Sequence, residues 1–367
     1  MEREMLAFWH TYQRVKHGSW SLVLGLALVA CSIPVNYSSD NPPTSPPAEL
    51  QIAAGFTITP IITGLDQPTG LAFDPQGRLY IAQRSGTVLI SDGTNPPREY
   101  ATDFNKPLSL HWYEQALYVV EQGQIQRLSD GNSDGIVDQQ TVLLSDLPDQ
   151  IEAATLVSDA QGWLYLGVGT RADHTATAGI QEGYIRRFRA DGSESSVYAT
   201  GLRMPFGLAF DPQQQLYATD NGREGLGDDL PPDEVNRITA GADYGWPRCW
   251  GQRQPDADGG GDAANCSTTN EPVALLPAHS GVTGIVFYQG TAFPARYHGD
   301  AFIGLSGSWY SQELRGHSIV RMDAETQQIE SFASGFGRPV GLAISPQGQL
   351  LVADYDRGTI VMIAAPP

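Results

Sequence analysis

Three stretches of the chain repeat one pattern of apolar and polar positions. Gly70-Leu-Ala-Phe-Asp-Pro-Gln-Gly-Arg-Leu-Tyr-Ile-Ala82 returns as Gly207-Leu-Ala-Phe-Asp-Pro-Gln-Gln-Gln-Leu-Tyr-Ala-Thr219 and again as Gly341-Leu-Ala-Ile-Ser-Pro-Gln-Gly-Gln-Leu-Leu-Val-Ala353. In each, a short apolar run enters a Pro-containing turn and a second apolar run leaves it. Proline presets φ for such a turn and glycine relieves it. Weaker copies lie at Leu108–Val120, Thr155–Val168 and Gly284–Leu305, giving six units. A third strand is predicted in each unit, at Thr87–Ile90, Gln124–Leu128, Tyr184–Phe188, Glu234–Ile238, Ser318–Met322 and Thr359–Ile363. A sheet this small cannot bury both faces alone, and radial packing of six sheets solves that problem. The pattern therefore predicts an all-β fold, a six-bladed β-propeller over residues 51–367. The spacing widens between the fourth and fifth units, so a long insertion is expected at about 222–280 on one face. A pair of β-sandwiches and a β-helix are the alternatives. The repeat is too long for a β-helix coil and too regular for two unrelated sandwiches.

Composition agrees. Gly (40) and Pro (25) make up about 18% of 367 residues, against a usual ~12%, as a fold rich in turns requires. The 41 acidic residues outnumber the 22 Lys and Arg, for a formal charge of −19. That balance argues against a nucleic-acid partner, which needs a basic groove. No run of about 20 apolar residues appears, so no ordinary membrane-spanning helix is expected. Residues 1–31 read as an export segment: Arg14 and Lys16 precede the apolar run Leu22–Ala30, which ends at Cys31. Leu28-Val29-Ala30-Cys31 resembles a bacterial lipobox, which predicts lipidation of Cys31 and an exported chain anchored at the cell envelope, periplasm-facing in a Gram-negative host. An ordinary secretory signal or a short membrane anchor is the alternative. Residues 32–50, with two Pro-Pro pairs, read as a disordered tether. In an exported chain a disulfide is the simplest reading of Cys249 and Cys266. A metal site there would lack a second close Cys or His.

One loop has an alternation of oxygen ligands. In Asp130-Gly-Asn132-Ser-Asp134-Gly135 the spacing resembles a calcium-binding EF-hand loop. Position twelve is Thr141 rather than a bidentate Glu, and no flanking helices are predicted. A structural ion held by Asp130, Asn132, Asp134 and Asp138 is one reading. A turn satisfied by its own backbone is the other.

The block from Gly201 to Asn236 resembles the glucose/sorbosone dehydrogenase family. The match rests on Gly201-Leu-Arg-Met-Pro-Phe-Gly-Leu-Ala-Phe-Asp-Pro212 and Thr219-Asp-Asn-Gly-Arg-Glu-Gly-Leu-Gly-Asp-Asp-Leu-Pro-Pro-Asp-Glu-Val-Asn236. Asp243-Tyr-Gly-Trp-Pro247, Pro277-Ala-His-Ser280, Gly299-Asp-Ala-Phe302, Gly307-Ser-Trp309 and Gly335-Phe-Gly-Arg-Pro-Val340 extend it. The resemblance implies a six-bladed propeller and an exported oxidoreductase that uses pyrroloquinoline quinone (PQQ) and calcium to oxidise a sugar or another small alcohol or aldehyde. PQQ carries three carboxylates, for which the planar fork of arginine is suited. The resemblance makes Arg203 and Arg338 cofactor-binding candidates, with His279 a further ligand contact. It gives the calcium to the backbone carbonyls of Asn221-Gly222, with Asp233 and Glu234 in the same block. It also implies a catalytic His about five residues before Leu156–Val157, where this chain has Ile151-Glu152-Ala153-Ala154. Glu152 is then the candidate base, since a partly buried Glu with a raised pKa can take a proton. Further departures are Thr170 after Gly169, Met204 after Arg203, and Tyr310-Ser311 after Trp309. His174, beside Asp173 in the following loop, is the other candidate base if it reaches the cavity, and an exposed loop histidine otherwise. Two other functions fit the same scaffold: a ligand-binding propeller that has lost catalysis, and a lactonase-like hydrolase with calcium-activated water. The electron acceptor is not legible.

Overall fold

The computed structural model describes residues 49–148, 153–179, 181–307 and 311–366. Cys31, Glu152 and Trp309 lie outside the described residues. Six antiparallel sheets form the blades, five of four strands and one of five. In the first, Pro68–Phe73, Leu79–Gln83, Thr87–Ser91 and Arg98–Ala101 run in order. The first strands of the other blades are Ser109–Tyr113, Ala153–Ser158, Pro205–Phe210, Val282–Phe287 and Pro339–Ile344, and each packs on its neighbours to close a ring. The last blade takes its fourth strand from the other end of the chain: Thr57–Ile62 pairs with Thr359–Ala364. Gln51–Ile52 joins the edge of the fifth blade, and Phe56 packs edge-on against Phe293, Tyr297 and Phe332 at 4.7–5.2 Å. The ring is therefore closed by hydrogen bonds and by an aromatic core.

The third strands lie within one residue of their expected ends, for example Asp233–Ile238 and Thr359–Ala364. The fourth strands, such as Gln139–Leu144 and Ser196–Thr200, carry mostly exposed residues. They lack the apolar alternation that announces a half-buried strand.

The glycine that opens four of the six repeats has a steric cause. A Cβ on Gly70 would come within 2.9 Å of the backbone of Ser109 and Leu110 in the next blade. One on Gly284 would meet the Val340 carbonyl at 2.7 Å, and on Gly207 and Gly341 it would overlap the carbonyls of Thr283 and Thr69. Neighbouring inner strands thus approach to backbone contact. Threonine hydroxyls cross the same seams, from Thr69 to the Pro107 carbonyl (2.9 Å), Thr219 to Thr283 (2.7 Å) and Thr283 to Pro339 (2.9 Å). The Asp-Pro turns are built by the aspartate, since Asp74 accepts from the amides of Gln76 and Arg78, and Asp211 from those of Gln213 and Gln215.

The insertion after Gly222 is partly blade. It contains the third and fourth strands of the fourth blade, Asp233–Ile238 and Ala274–Leu276. Between them lie a small hairpin, one helical turn at Ala263–Cys266 and the Cys249–Cys266 disulfide. Buried Arg223 anchors this segment through Asp256 (2.8 Å) and Asp258 (3.1 Å).

Substituting Gly207→Ala is expected to destabilise the fold by about 3 kcal/mol, because a backbone carbonyl rather than a pliable side chain must yield. Urea denaturation of the variant against the parent chain measures it, and an unchanged midpoint would refute the axial contact.

Candidate cofactor and active site

A cavity of about 300 Å³ opens where the inner strands begin. It is lined by Thr69, Phe206, Thr283 and Val340 from those strands, and by a set of polar side chains from the loops around them. Arg203 and Arg338 both line it, as expected for two residues placed just ahead of Pro205 and Pro339. A carboxylate at the end of each second strand fixes the loop. Asp220 accepts from the amides of Arg203 (3.0 Å) and Met204 (2.6 Å), and Asp354 accepts from those of Gly337 and Arg338 (both 2.9 Å). Burial pushes the Asp220 carboxyl well up, more than these two amides hold it down.

A third arginine, Arg84, lines the same cavity and was not singled out by any motif. Extending the repeat alignment beyond the second strand would have found it. Arg84, Asn221 and Tyr355 occupy the same place, fourteen residues after Gly70, Gly207 and Gly341, and all three line the cavity.

Arg203 is the most constrained of the arginines. Its Nη2 lies 2.9 Å from Asp173 Oδ1. Its Nη1 donates to the Gly222 carbonyl at 2.8 Å and, more weakly, to that of Asn221 at 3.5 Å. Its Nε is buried and has no hydrogen-bond partner. The two carbonyls to which the resemblance assigns calcium are therefore engaged by a guanidinium. The Asn221 side chain turns away from them to donate to Val282 O at 2.8 Å. Arg338 lies 3.3 Å from Asp356 and 5.1 Å from the centre of the Tyr355 ring.

His279 also lines the cavity, with a backbone φ of +58°, a left-handed conformation that costs energy for a non-glycine residue. Its Nε2 lies 2.8 Å from the Gly227 carbonyl, which can only accept, and its Nδ1 lies 2.7 Å from Glu224 Oε2. With one ring nitrogen committed as a donor and the other against a carboxylate, the imidazolium is favoured, and Glu224 raises the His279 pKa above its ordinary value. Asp233 is buried and accepts from Gly222 N, Ser280 Oγ and Gly281 N, each at 2.9 Å. Desolvation still lifts its pKa to about 6. Glu234 accepts from Gly251 N (2.6 Å) and Asn236 Nδ2 (3.0 Å), and burial lifts it to about 7.

The Asp130 loop stands apart from the cavity, between the outer strands Gln124–Ser129 and Gln139–Leu144. Asp130 accepts from the amides of Asp134 (3.1 Å) and Gly135 (2.7 Å), Asn132 from that of Asp134 (3.0 Å), and Asp134 from that of Ile136 (2.8 Å). These oxygens are spent on the loop's own backbone. Among the described residues, no three His, Cys, Asp or Glu side chains gather as metal ligands. His174 is partly exposed, 3.6 Å from Asp173, and does not line the cavity.

The buried acids set a pH dependence. A group whose pKa rises on folding stabilises the fold below its unfolded value and loses that contribution as pH climbs through the folded value. Glu234, Asp233, Asp220 and His279 share this sign, so stability is expected to fall from about pH 4 through about pH 7, with Glu234 alone contributing on the order of 3 kcal/mol. Asn236 Oδ1 is buried and without a partner, so an amide flip would let it accept from the protonated acid or from an amide in its place. Urea denaturation across this range should show the slope, and Glu234→Gln should flatten it. An unaltered slope in that variant would contradict the assignment.

The model of the family described as Glucose / Sorbosone dehydrogenase matches residues 123–362. An uncharacterised protein of Borreliella burgdorferi is 23% identical over 335 residues, covering 83% of this chain and 88% of that protein. Quinoprotein glucose dehydrogenase B of Acinetobacter calcoaceticus is 32% identical over 157 residues, covering 37% of this chain and 30% of that enzyme. Among solved structures, the holo form of the pyranose dehydrogenase PQQ domain from Coprinopsis cinerea superposes with a TM-score of 0.75 at 18% identity, over 88% of this chain and 98% of that one. At that identity the likeness is one of fold. The family match spans most of the chain and includes the loops that carry Arg203, His279 and Arg338, so this protein belongs to the glucose/sorbosone dehydrogenase family.

Proposed function

We propose that the axial cavity binds PQQ and that the chain oxidises a sugar or another small alcohol or aldehyde with it. The observation that carries this reading is the convergence of Arg84, Arg203 and Arg338 on one cavity, with the Arg203 Nε a buried donor lacking an acceptor. Three cations match a cofactor with three carboxylates, and an unsatisfied buried donor is costly until an anion meets it. Removing hydride from a carbinol carbon requires a two-electron acceptor, which the ortho-quinone of PQQ supplies when bound. The chain's own part is to hold and orient. Asp173 and the Gly222 carbonyl fix the Arg203 guanidinium, and Asp356 and the Tyr355 ring steady Arg338. Glu152 is the proposed base for the substrate hydroxyl proton. Calcium is left out of this reading, because Arg203 already engages the carbonyls of Asn221 and Gly222.

A second reading, a propeller that binds its ligand without oxidising it, is favoured by Ile151-Glu152-Ala153-Ala154 at the place where the family resemblance puts a histidine. The two are separated by calorimetry of the full chain with PQQ, followed by a dye-linked screen of aldoses and alcohols. Saturable binding is expected, weakened about tenfold or more by Arg338→Ala, together with dye reduction that Glu152→Gln abolishes. Binding without dye reduction would favour the second reading, and absence of PQQ binding would overturn the first.

We also propose that the chain is exported and held at the cell envelope by a lipid on Cys31, the residue that ends the apolar run Leu22–Ala30. Labelled palmitate is expected to enter the parent chain in a bacterial host and not Cys31→Ser. Equal labelling of both would contradict the anchor.

A further inference from the structure

Resting on the PQQ reading above, we infer that the cavity takes its acidic cofactor without a calcium ion, the Arg203 guanidinium supplying the positive charge at the Asn221 and Gly222 carbonyls. Calcium takes six to eight oxygen ligands at about 2.3–2.6 Å, several of them charged. Here the Gly222 carbonyl accepts from Arg203 Nη1 at 2.8 Å, with the Asn221 carbonyl 3.5 Å from the same nitrogen. An ion at coordinating distance from Gly222 O would lie against that guanidinium and be repelled by it.

The guanidinium is not easily displaced. Its Nη2 is paired with Asp173 at 2.9 Å, and its backbone amide donates to buried Asp220 at 3.0 Å. Asp173 is held in turn by the Glu224 amide at 2.9 Å. The neighbouring carboxylates are committed too. Both oxygens of Asp233 accept hydrogen bonds, from Gly222 on one side and from Ser280 and Gly281 on the other. Glu234 is taken up by Gly251 and Asn236. No side-chain ligand set for a divalent ion is assembled among the described residues. What the site does offer an anion is the remaining Arg203 donor, the buried Nε. Through that donor a fixed monovalent guanidinium can hold a carboxylate or quinone oxygen, with less charge than Ca²⁺.

The test is a PQQ titration of the full chain in EGTA and in millimolar calcium. Affinities that agree within about twofold are expected. Affinity that rises about tenfold or more with calcium would overturn the inference while leaving the PQQ reading intact. In EGTA, Arg203→Gln is expected to weaken PQQ binding about tenfold or more, and a variant that binds as tightly as the parent would also overturn it. If PQQ binds under neither condition, the PQQ reading fails. The blocking of the carbonyls is then tested separately by the melting temperature of Asp130→Asn/Asp134→Asn, which removes the rival loop. No change on adding calcium upholds the blocked carbonyls, and a rise refutes them.

Discussion

Neighbouring inner strands meet at backbone contact around the axis, and the rest of the molecule depends on that closeness. It admits no Cβ at Gly70, Gly207, Gly284 or Gly341, and it lets the hydroxyls of Thr69, Thr219 and Thr283 reach carbonyls of the adjacent blade. The cavity opens at the ends of these strands, beside register shifts between Pro205 and Leu208 and between Pro339 and Leu342. Loops fixed by Asp220 and Asp354 enter that space carrying Arg203 and Arg338. Fold and site are thus consequences of one packing arrangement. The glycines bring the blades together, and the residues just outside the tight seam are left to line a pocket.

That packing explains why so much was legible in the sequence. The Gly-Leu-Ala triplet recurs in the first, fourth and sixth blades because each repeats the same close contact, and the Asp-Pro corner of the first and fourth, Ser345-Pro346 in the sixth, is capped by its own side chain, so strand positions could be read to within a residue. The outer strands were not legible, because their solvent-facing residues carry no alternation. The ring closure through Thr57–Ile62 pairs residues some three hundred positions apart, which no local pattern reports. Arg84 escaped for a different reason. It occupies the same repeat position as Asn221 and Tyr355, and a position that changes chemistry in every copy does not look like a repeat. The engagement of the Asn221 and Gly222 carbonyls by Arg203 was illegible because a hydrogen-bond partner across eighteen residues depends on loop geometry rather than residue type.

The site concentrates opposite charges in partial burial. The chain as a whole carries −19, yet the cavity is lined by three arginines and by His279 beside Glu224. An acidic protein that reserves a cationic pocket on its axis repels anions in general and binds one that can reach several guanidinium groups at once. Most of the acidic groups nearby are spent on holding the cations: Asp173 on Arg203, Glu224 on His279, Asp256 and Asp258 on Arg223. Those pairs set orientation more than stability, since a buried ion pair gains little over its desolvation cost.

The most direct test of this account is a crystal structure of the full chain grown with PQQ. The account predicts the cofactor in the axial cavity, its carboxylates against Arg84, Arg203 and Arg338. A cofactor bound elsewhere, or a cavity whose arginines make no contact with it, would contradict the central claim.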